Sequence, residues 1–341
     1  MKILIFFPIK NDYTRLWEYY KNDKNIIEDI ASQAYYSNSF FSFLRLILKV
    51  DYVYCWWWHT SVFQIIIAKI LGKKVICTGA IHMFDYSGTE DTFFKKKFLY
   101  RVLCRISLYL ADANLFISND QKRQITSHIK VNNPQIVYSS LEKDHLENYL
   151  KIKKIKKINN IINIASVLWL TESSIARKGL LETLDALELL NDKNFTYFII
   201  GKKDNGYNGL ISKIKKLKIK NKIKVLIDLP AQDKNKILKK ADLYVQPSHY
   251  EGLGNSVIEA MSNGSVPIVS RFASQPEIVS GLGYIINEIS KNEIKKKFEL
   301  YFNLSIEEKK NLKKNILDYT HDKFSYDFHL KKVKKIFENF N

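Results

Sequence analysis

Short apolar runs rich in β-branched and aromatic residues recur along this chain, separated by longer stretches whose apolar positions repeat at helical spacing. Such alternation is the pattern of βαβ units wound around a parallel sheet. It occurs in two sets. The first has strand candidates at Lys2–Phe7, Tyr52–Trp56, Lys74–Thr78, Ala113–Ile117 and Gln135–Tyr138, the second at Asn163–Leu168, Thr196–Ile200, Lys224–Ile227, Leu243–Gln246 and Val266–Val269. Between them runs KIKKIKKINN, with five lysines in seven residues. At roughly 150 residues per domain, the 341 residues fit two doubly wound domains. The expected layout is a Rossmann-like domain over 1–150, a basic linker at 151–160, a second Rossmann-like domain over 161–320 and a C-terminal helix over 321–341. The linker reads either as a solvated charge run or as a lipid-facing one. The last helix carries Phe324, Phe328, Leu330, Val333, Ile336 and Phe337 at near-helical spacing and needs a surface to cover.

Composition narrows the classes. With 46% hydrophobic and 26% charged residues the chain is neither disordered, collagenous nor a coiled coil. Cys55, Cys77 and Cys104 form no disulfide framework and have no zinc-ligand spacing, which points to a reducing compartment. The most apolar window, Val53–Gly72, is interrupted by His59, Gln64 and Lys69, so no membrane span is expected. The expected location is cytoplasmic, peripheral at the inner membrane face. The net charge of +19 is uneven: residues 1–150 hold 19 Lys and Arg against 14 Asp and Glu, which leaves +14 to residues 151–341. Such a field suits nucleotides, nucleic-acid phosphates or an anionic membrane. No nucleic-acid-binding motif accompanies it, so nucleic acid is not an expected partner.

Chemistry concentrates in Ala241–Ile286. A strand, Leu243–Gln246, runs into Pro247 and Ser248; Glu251 then opens a turn of Gly252, Leu253, Gly254 and Asn255, and a helix starts at about Ser256. Glycines there let backbone N–H groups approach an anion, and the helix start adds unpaired donors and the positive end of its dipole. Glu259 lies one turn into the helix, so two carboxylates border one crevice beyond the end of a strand. Acids beside a phosphate seat repel phosphate and are better suited to sugar hydroxyls. A nucleotide sugar fits both halves of that arrangement.

The string Pro247, Ser248, Glu251, Gly252, Leu253, Gly254, Glu259, Ala260, Met261, Gly264, Pro267, Pro276, Glu277, Ile278, Val279 resembles the retaining glycosyltransferases of family 4 in the GT-B superfamily, whose mark is two glutamates separated by seven residues. Arg177, Lys178 and Gly179 are similar to that family's grip on the donor diphosphate. Ala111–Ala113 with Ser118 and Lys122, and Phe324–Tyr326, extend the likeness over most of the chain. The resemblance implies two Rossmann-like domains facing a cleft, with the last helix crossing back to the first domain. It implies a sugar moved from a nucleotide diphosphate sugar to a glycan or lipid-linked acceptor hydroxyl, with retention, without metal or cofactor, in cell-surface polysaccharide biosynthesis. Glu251 is then expected at the transferred sugar, Glu259 at the ribose, the amides of Gly252–Asn255 at the phosphates, and Lys178 with Arg177 at the leaving diphosphate. His82 resembles the histidine that faces the donor sugar, although a His in an apolar setting is also an ordinary structural residue. Asp85 and Trp58 are acceptor-binding candidates; Asp85 also suits a helix cap, and Trp58, within Trp56–Trp58, also suits packing.

The chain departs from the family in three places. No arginine stands in Ala165–Leu170, leaving Arg177 as the neighbouring cation; Ser274 and Gln275 occupy the usual glycine pair; and Pro8–Asn11 replaces a glycine-rich loop. A silent nucleotide-sugar-binding or scaffold protein of the same fold stands as the alternative. Phe40, Phe41, Phe43, Leu44, Leu46 and Ile47 beside Arg45 and Lys49 are an expected peripheral contact with an anionic membrane.

Overall fold

The structure, a computed structural model, describes residues 1–8, 18–81, 92–143, 149 and 161–340. The chain divides into two compact units, Met1–Lys143 with Phe324–Asn341, and Asp144–Lys323. The first unit thus ends seven residues before the expected boundary and regains the chain three residues into the expected tail. The lysine run itself lies outside the described residues.

In the first unit the strands β1 (Lys2–Phe6), β2 (Gln33–Ser37), β3 (Tyr52–Trp56), β4 (Lys74–Thr78), β5 (Ala113–Phe116) and β6 (Pro134–Ile136) form one sheet in the order β2-β1-β3-β4-β5-β6. All its pairings are parallel. Both faces are covered, because alternate side chains of a strand point to opposite sides. Leu4 and Phe6 of β1 join Val53, Cys55, Val75 and Cys77 under the helices Phe40–Ile47, Val62–Ile70 and Phe98–Leu110, which contribute Phe43, Ile65 and Leu108. Ile3 and Ile5 look the other way, towards Ile26 and Ile27 of the helix Glu18–Ile30 and Val333, Ile336 and Phe337 of the helix Tyr326–Glu338.

That last helix therefore belongs to the first unit's core, and each large side chain it buries is worth about 1.5–3 kcal/mol. It starts where the Ser325 hydroxyl caps the Phe328 N–H, and the Tyr326 hydroxyl ties it to Asp29 at 2.8 Å. On this side a buried acid, Asp23, accepts from the Tyr54 hydroxyl at 2.7 Å and lies 3.9 Å from His329 Nε2. Burial pushes the Asp23 carboxyl up to about 7 and the His329 imidazole down to about 4.

The second unit holds β7 (Ile162–Leu170), β8 (Phe195–Lys203), β9 (Ile223–Ile227), β10 (Leu243–Gln246), β11 (Val266–Ser270) and β12 (Tyr284–Ile286), also all parallel, in the order β12-β11-β10-β7-β8-β9. The winding direction reverses between β7 and β10 here and between β1 and β3 in the first unit. At such switch points the loops after the two strands part and leave a crevice outside their carboxyl ends.

β3, β4 and β10 occupy the residues expected of them, whereas β2 and β12 were not expected. Both are edge strands. β2 buries only Ser37 fully and β12 has three residues, so neither shows the long apolar run of an interior parallel strand. Among the described residues no helix is long and apolar enough to cross a membrane.

Candidate active site

Two loops meet at the switch point of the second unit. After β7 the chain makes a short helix, Glu172–Arg177, started by the Thr171 hydroxyl accepting from the Ser174 N–H. Lys178 then leads into Gly179, which has φ +62° and precedes the helix Leu180–Glu188. After β10 come Pro247–Tyr250, then Glu251 and the glycine turn, with Gly254 at φ +85° before the helix Asn255–Ser262. The positive φ at both glycines is one that side chains rarely adopt. Gly179 is also a point of contact between the loops, since a Cβ there would fall 2.6 Å from the Pro247 carbonyl oxygen. The His249 N–H donates to the Arg177 carbonyl at 2.8 Å and fixes the same junction.

That junction sets two cations on one acid. Arg177 Nη1 donates to Glu251 Oε1 at 2.8 Å and to the Tyr250 carbonyl at 2.9 Å. Lys178 Nζ stands 3.6 Å from Glu251 Oε1 and donates to the Val167 carbonyl and to Gln246 Oε1 at 3.2 and 3.1 Å. The Gln246 amide and Ser248 hydroxyl reach the same Oε1 at 3.1 and 3.3 Å. Gln246 is itself held through its Oε1, which accepts from the Tyr244 and Ser256 hydroxyls at 2.9 and 2.8 Å.

The Glu251 and Lys178 side chains are each 13% exposed and Arg177 is 25% exposed. Burial alone would raise the Glu251 pKa, but Lys178, Arg177 and the hydrogen bonds outweigh it and hold the carboxyl below its ordinary value. Lys178 is pulled the other way. Burial lowers it, Arg177 adds to the lowering, and Glu251 and Glu259 oppose without cancelling it. Glu259 forms an ion pair with Lys234 at 2.7 Å. Its charge is felt at Lys178 and Tyr244 together with that of Glu251, so the two acids share one neighbourhood.

A third loop, after β11, braces the loop that carries Glu251. The Ser274 hydroxyl donates to the Glu251 carbonyl at 3.1 Å, and the Gln275 amide donates to the Gln246 carbonyl at 2.9 Å while its oxygen accepts from the Ser270 N–H at 2.9 Å. Ala273, at φ +53°, takes the left-handed turn that a glycine would take with less strain. Ser274 and Gln275 thus hold β10 and the loop that carries the acid by side-chain hydrogen bonds.

The structure brings together Arg177, Lys178, Glu251, Gly252, Leu253, Gly254, Asn255 and Glu259. Leu253 is buried and packs under the turn, while Asn255 is exposed at the helix start. Sequence reasoning gave no role to Gln246 or Lys234 and named Ser248 and Ser274 only within the family string and its departures; for Gln246 the available signal was a glutamine closing the apolar strand Leu-Tyr-Val-Gln. His82 and Asp85 lie outside the described residues.

Trp58 requires a correction. It is 1% exposed, donates Nε1–H to Asn114 Oδ1 at 2.9 Å and stacks on Phe116, so it is a core residue of the first unit and not an acceptor contact. The indole that reaches open space is Trp57, whose φ of +68° interrupts strand alternation. It lines a cavity of about 410 Å³ outside the carboxyl ends of β1, β3 and β4, with His59, Ile81, Phe93, Lys96 and Tyr100. Burial, with Lys96 adding to it, holds the His59 imidazole below its ordinary pKa.

A doubly wound unit with this strand order and a cation-flanked glutamate at its switch point, following another doubly wound unit, defines the GT-B class. Residues 151–318, which lie within the second unit, match the family model described as "Glycosyl transferases group 1". A GDP-mannose:cellobiosyl-diphosphopolyprenol alpha-mannosyltransferase of Xanthomonas oryzae pv. oryzae is 31% identical over 151 residues, 42% of this chain and 38% of that enzyme, so the match spans about two-fifths of this curated relative. Anabaena HepE, solved in complex with UDP-glucose, aligns over 99% of this chain and 100% of its own with a TM-score of 0.73 at 13% identity. A glycosyltransferase from Rickettsia africae covers 99% and 98% with a TM-score of 0.73 at 16% identity. At such identities these two likenesses establish the fold.

Proposed function

We propose that the protein transfers a sugar from a nucleotide diphosphate sugar to a hydroxyl of a glycan or lipid-linked acceptor, with retained configuration and without a metal, in the building of cell-surface polysaccharide. The observation that carries this reading is the buried Glu251 carboxylate kept ionised between Arg177 and Lys178 at the β7/β10 switch point. In glycosyl transfer the bond from the anomeric carbon to the phosphate oxygen breaks through an oxocarbenium-like state and its electron pair stays with the diphosphate. Fixed cations at that point favour the charge as it collects. Lys178 is assigned to the leaving diphosphate, Arg177 to the diphosphate and to the orientation of Glu251, Glu251 to the transferred sugar, and Glu259 to the ribose hydroxyls in exchange for Lys234. The N–H groups of the Gly252–Asn255 turn and the helix behind it take the phosphates. HepE with its UDP-glucose and the mannosyltransferase with its polyprenol-linked acceptor support the substrate classes.

A thermal-shift series with UDP, GDP, ADP and CMP sugars tests the donor half of the proposal. One of the three nucleoside diphosphate sugars, and not the CMP sugar, is expected to raise Tm with concentration, since a ligand at 100 times its Kd adds about 2.7 kcal/mol. A flat response to all four would overturn the assignment of the turn as a phosphate seat.

A further inference from the structure

The helices Phe40–Ile47, Val62–Ile70 and Phe98–Leu110 pack on the same face of the first sheet, each burying one side in a common core. Their other sides are where a surface helix ordinarily turns polar. These do not. Phe41 and Leu48, Phe63 and Ile70, and Phe98 and Leu99 all project outward, with exposures from 61% at Phe63 to 78% at Ile70. Large apolar side chains so exposed on adjacent helices exceed the scattered ones of an ordinary soluble surface.

The charge on this face is equally one-sided. The three helices contain Arg45, Lys69, Arg101 and Arg105 and no Asp or Glu, and Lys49, Lys95 and Lys97 flank them. Lys69 is paired with Asp112 at 2.7 Å, but Arg45, Lys49, Lys95, Lys97 and Arg105 are all exposed. The opposite face of the same sheet shows the usual balance. Glu28, Asp29, Asp327 and Glu338 alternate with lysines along its two helices, and Lys24 to Glu28 and Lys334 to Glu338 form ion pairs at 3.7 and 4.0 Å.

We infer that the three-helix face of the first unit docks on an anionic lipid bilayer, with Phe41, Phe63 and Phe98 entering the headgroup boundary and the arginines and lysines meeting the lipid phosphates. Apolar side chains that enter the boundary and cations that stay at phosphate level are the two components of interfacial binding. A second copy of this chain is disfavoured as the occupant, because two such faces would bring the exposed Arg45, Lys49, Lys95, Lys97 and Arg105 against their like, with Asp112 already paired to Lys69.

Co-sedimentation of the full chain with vesicles tests this. The protein is expected to pellet with phosphatidylcholine vesicles containing phosphatidylglycerol, more weakly with phosphatidylcholine alone, and less as salt rises. Arg45→Gln, Lys49→Gln and Arg105→Gln together should lower the affinity about a hundredfold, about fivefold for each charge. Phe41→Ser with Phe63→Ser should lower it about tenfold at unchanged charge. Lys331→Gln, Lys334→Gln and Lys335→Gln on the opposite face should leave it unchanged. All these positions are exposed, so retained Tm and circular dichroism separate lost docking from lost folding, and the nucleotide thermal shift should be unaltered in every variant. Failure of the wild type to pellet with anionic vesicles, equal losses from the two faces, or a wild-type dimer that the Phe41→Ser, Phe63→Ser variant converts to monomer would overturn the inference.

Discussion

Two acids buried to almost the same depth, one in each unit, behave oppositely. The Asp23 side chain in the first unit is 12% exposed and that of Glu251 in the second is 13% exposed. Asp23 meets the Tyr54 hydroxyl and the neutral His329 ring, and burial drives its carboxyl up to about 7. Glu251 meets Arg177 and Lys178 and is held below its ordinary value. Burial is common to both, so the difference comes from the cations. In the first unit the fold tolerates an acid as a hydrogen-bonding group beside its C-terminal helix; in the second it assembles charges to keep an acid ionised, while burial, with Arg177 adding to it, lowers the pKa of Lys178. Desolvated groups so arranged mark a site more often than a structural pair.

The largest expected effect comes from breaking the second arrangement. Lys178→Ala should lower kcat about 10²–10³-fold, the usual cost of removing one group that stabilises developing charge. A loss of less than threefold in steady-state turnover would make Glu251 and Asp23 equivalent, both merely buried.

The first arrangement is read through stability. Asp23 has a raised pKa, so its contribution is full below 3.8 and is lost as pH rises to about 7. His329 has a lowered pKa, so its contribution is present above 6.5 and is lost as pH falls to about 4. The opposing slopes largely offset one another between pH 4 and 6.5. Asp23→Asn removes one of them, and denaturant titrations should then show stability rising with pH across that window by about 3 kcal/mol. A wild-type-like flat profile in the variant would contradict the ionisation assigned to Asp23.

Gly179→Ala places a Cβ 2.6 Å from the Pro247 carbonyl oxygen and should cost about 1–3 kcal/mol, with weaker nucleotide binding because the two site loops are pushed apart. Unchanged Tm and nucleotide affinity would show that the junction does not need that approach. The mildest effect concerns pH. Lys178 lies below its ordinary 10.5, so kcat/KM should fall on the alkaline side before an unperturbed lysine would deprotonate, and Lys178→Arg should move that fall to higher pH. A limb unmoved by the substitution would assign the titration to another group.

The candidate site was largely legible in the sequence because its central residues are close in the chain. Glu251, the glycine turn and Glu259 lie within nine residues, and Arg177, Lys178 and Gly179 are consecutive. What was not legible is what depends on sheet order. Ser274 supports Glu251 only because β10 and β11 are neighbours, and Lys234 reaches Glu259 from another helix. The interior strands and the edge strands β6 and β9 could be read from their apolar runs, while the edge strands β2 and β12 could not. Trp58 was misread because a regular strand alternates its side chains, and the left-handed turn at Trp57 interrupts that alternation. The acid-free face was visible only at the helix Phe40–Ile47 until the fold set Val62–Ile70 and Phe98–Leu110 beside it.

The central claim is that Glu251 works as an ionised carboxylate at the transferred sugar. Turnover of the nucleotide sugar selected by thermal shift, compared between wild type and Glu251→Gln, tests it most directly, because the amide keeps the shape and removes the charge. The account predicts a fall in kcat of about 10²-fold or more with the nucleotide still bound; full turnover in the Glu251→Gln protein would contradict it.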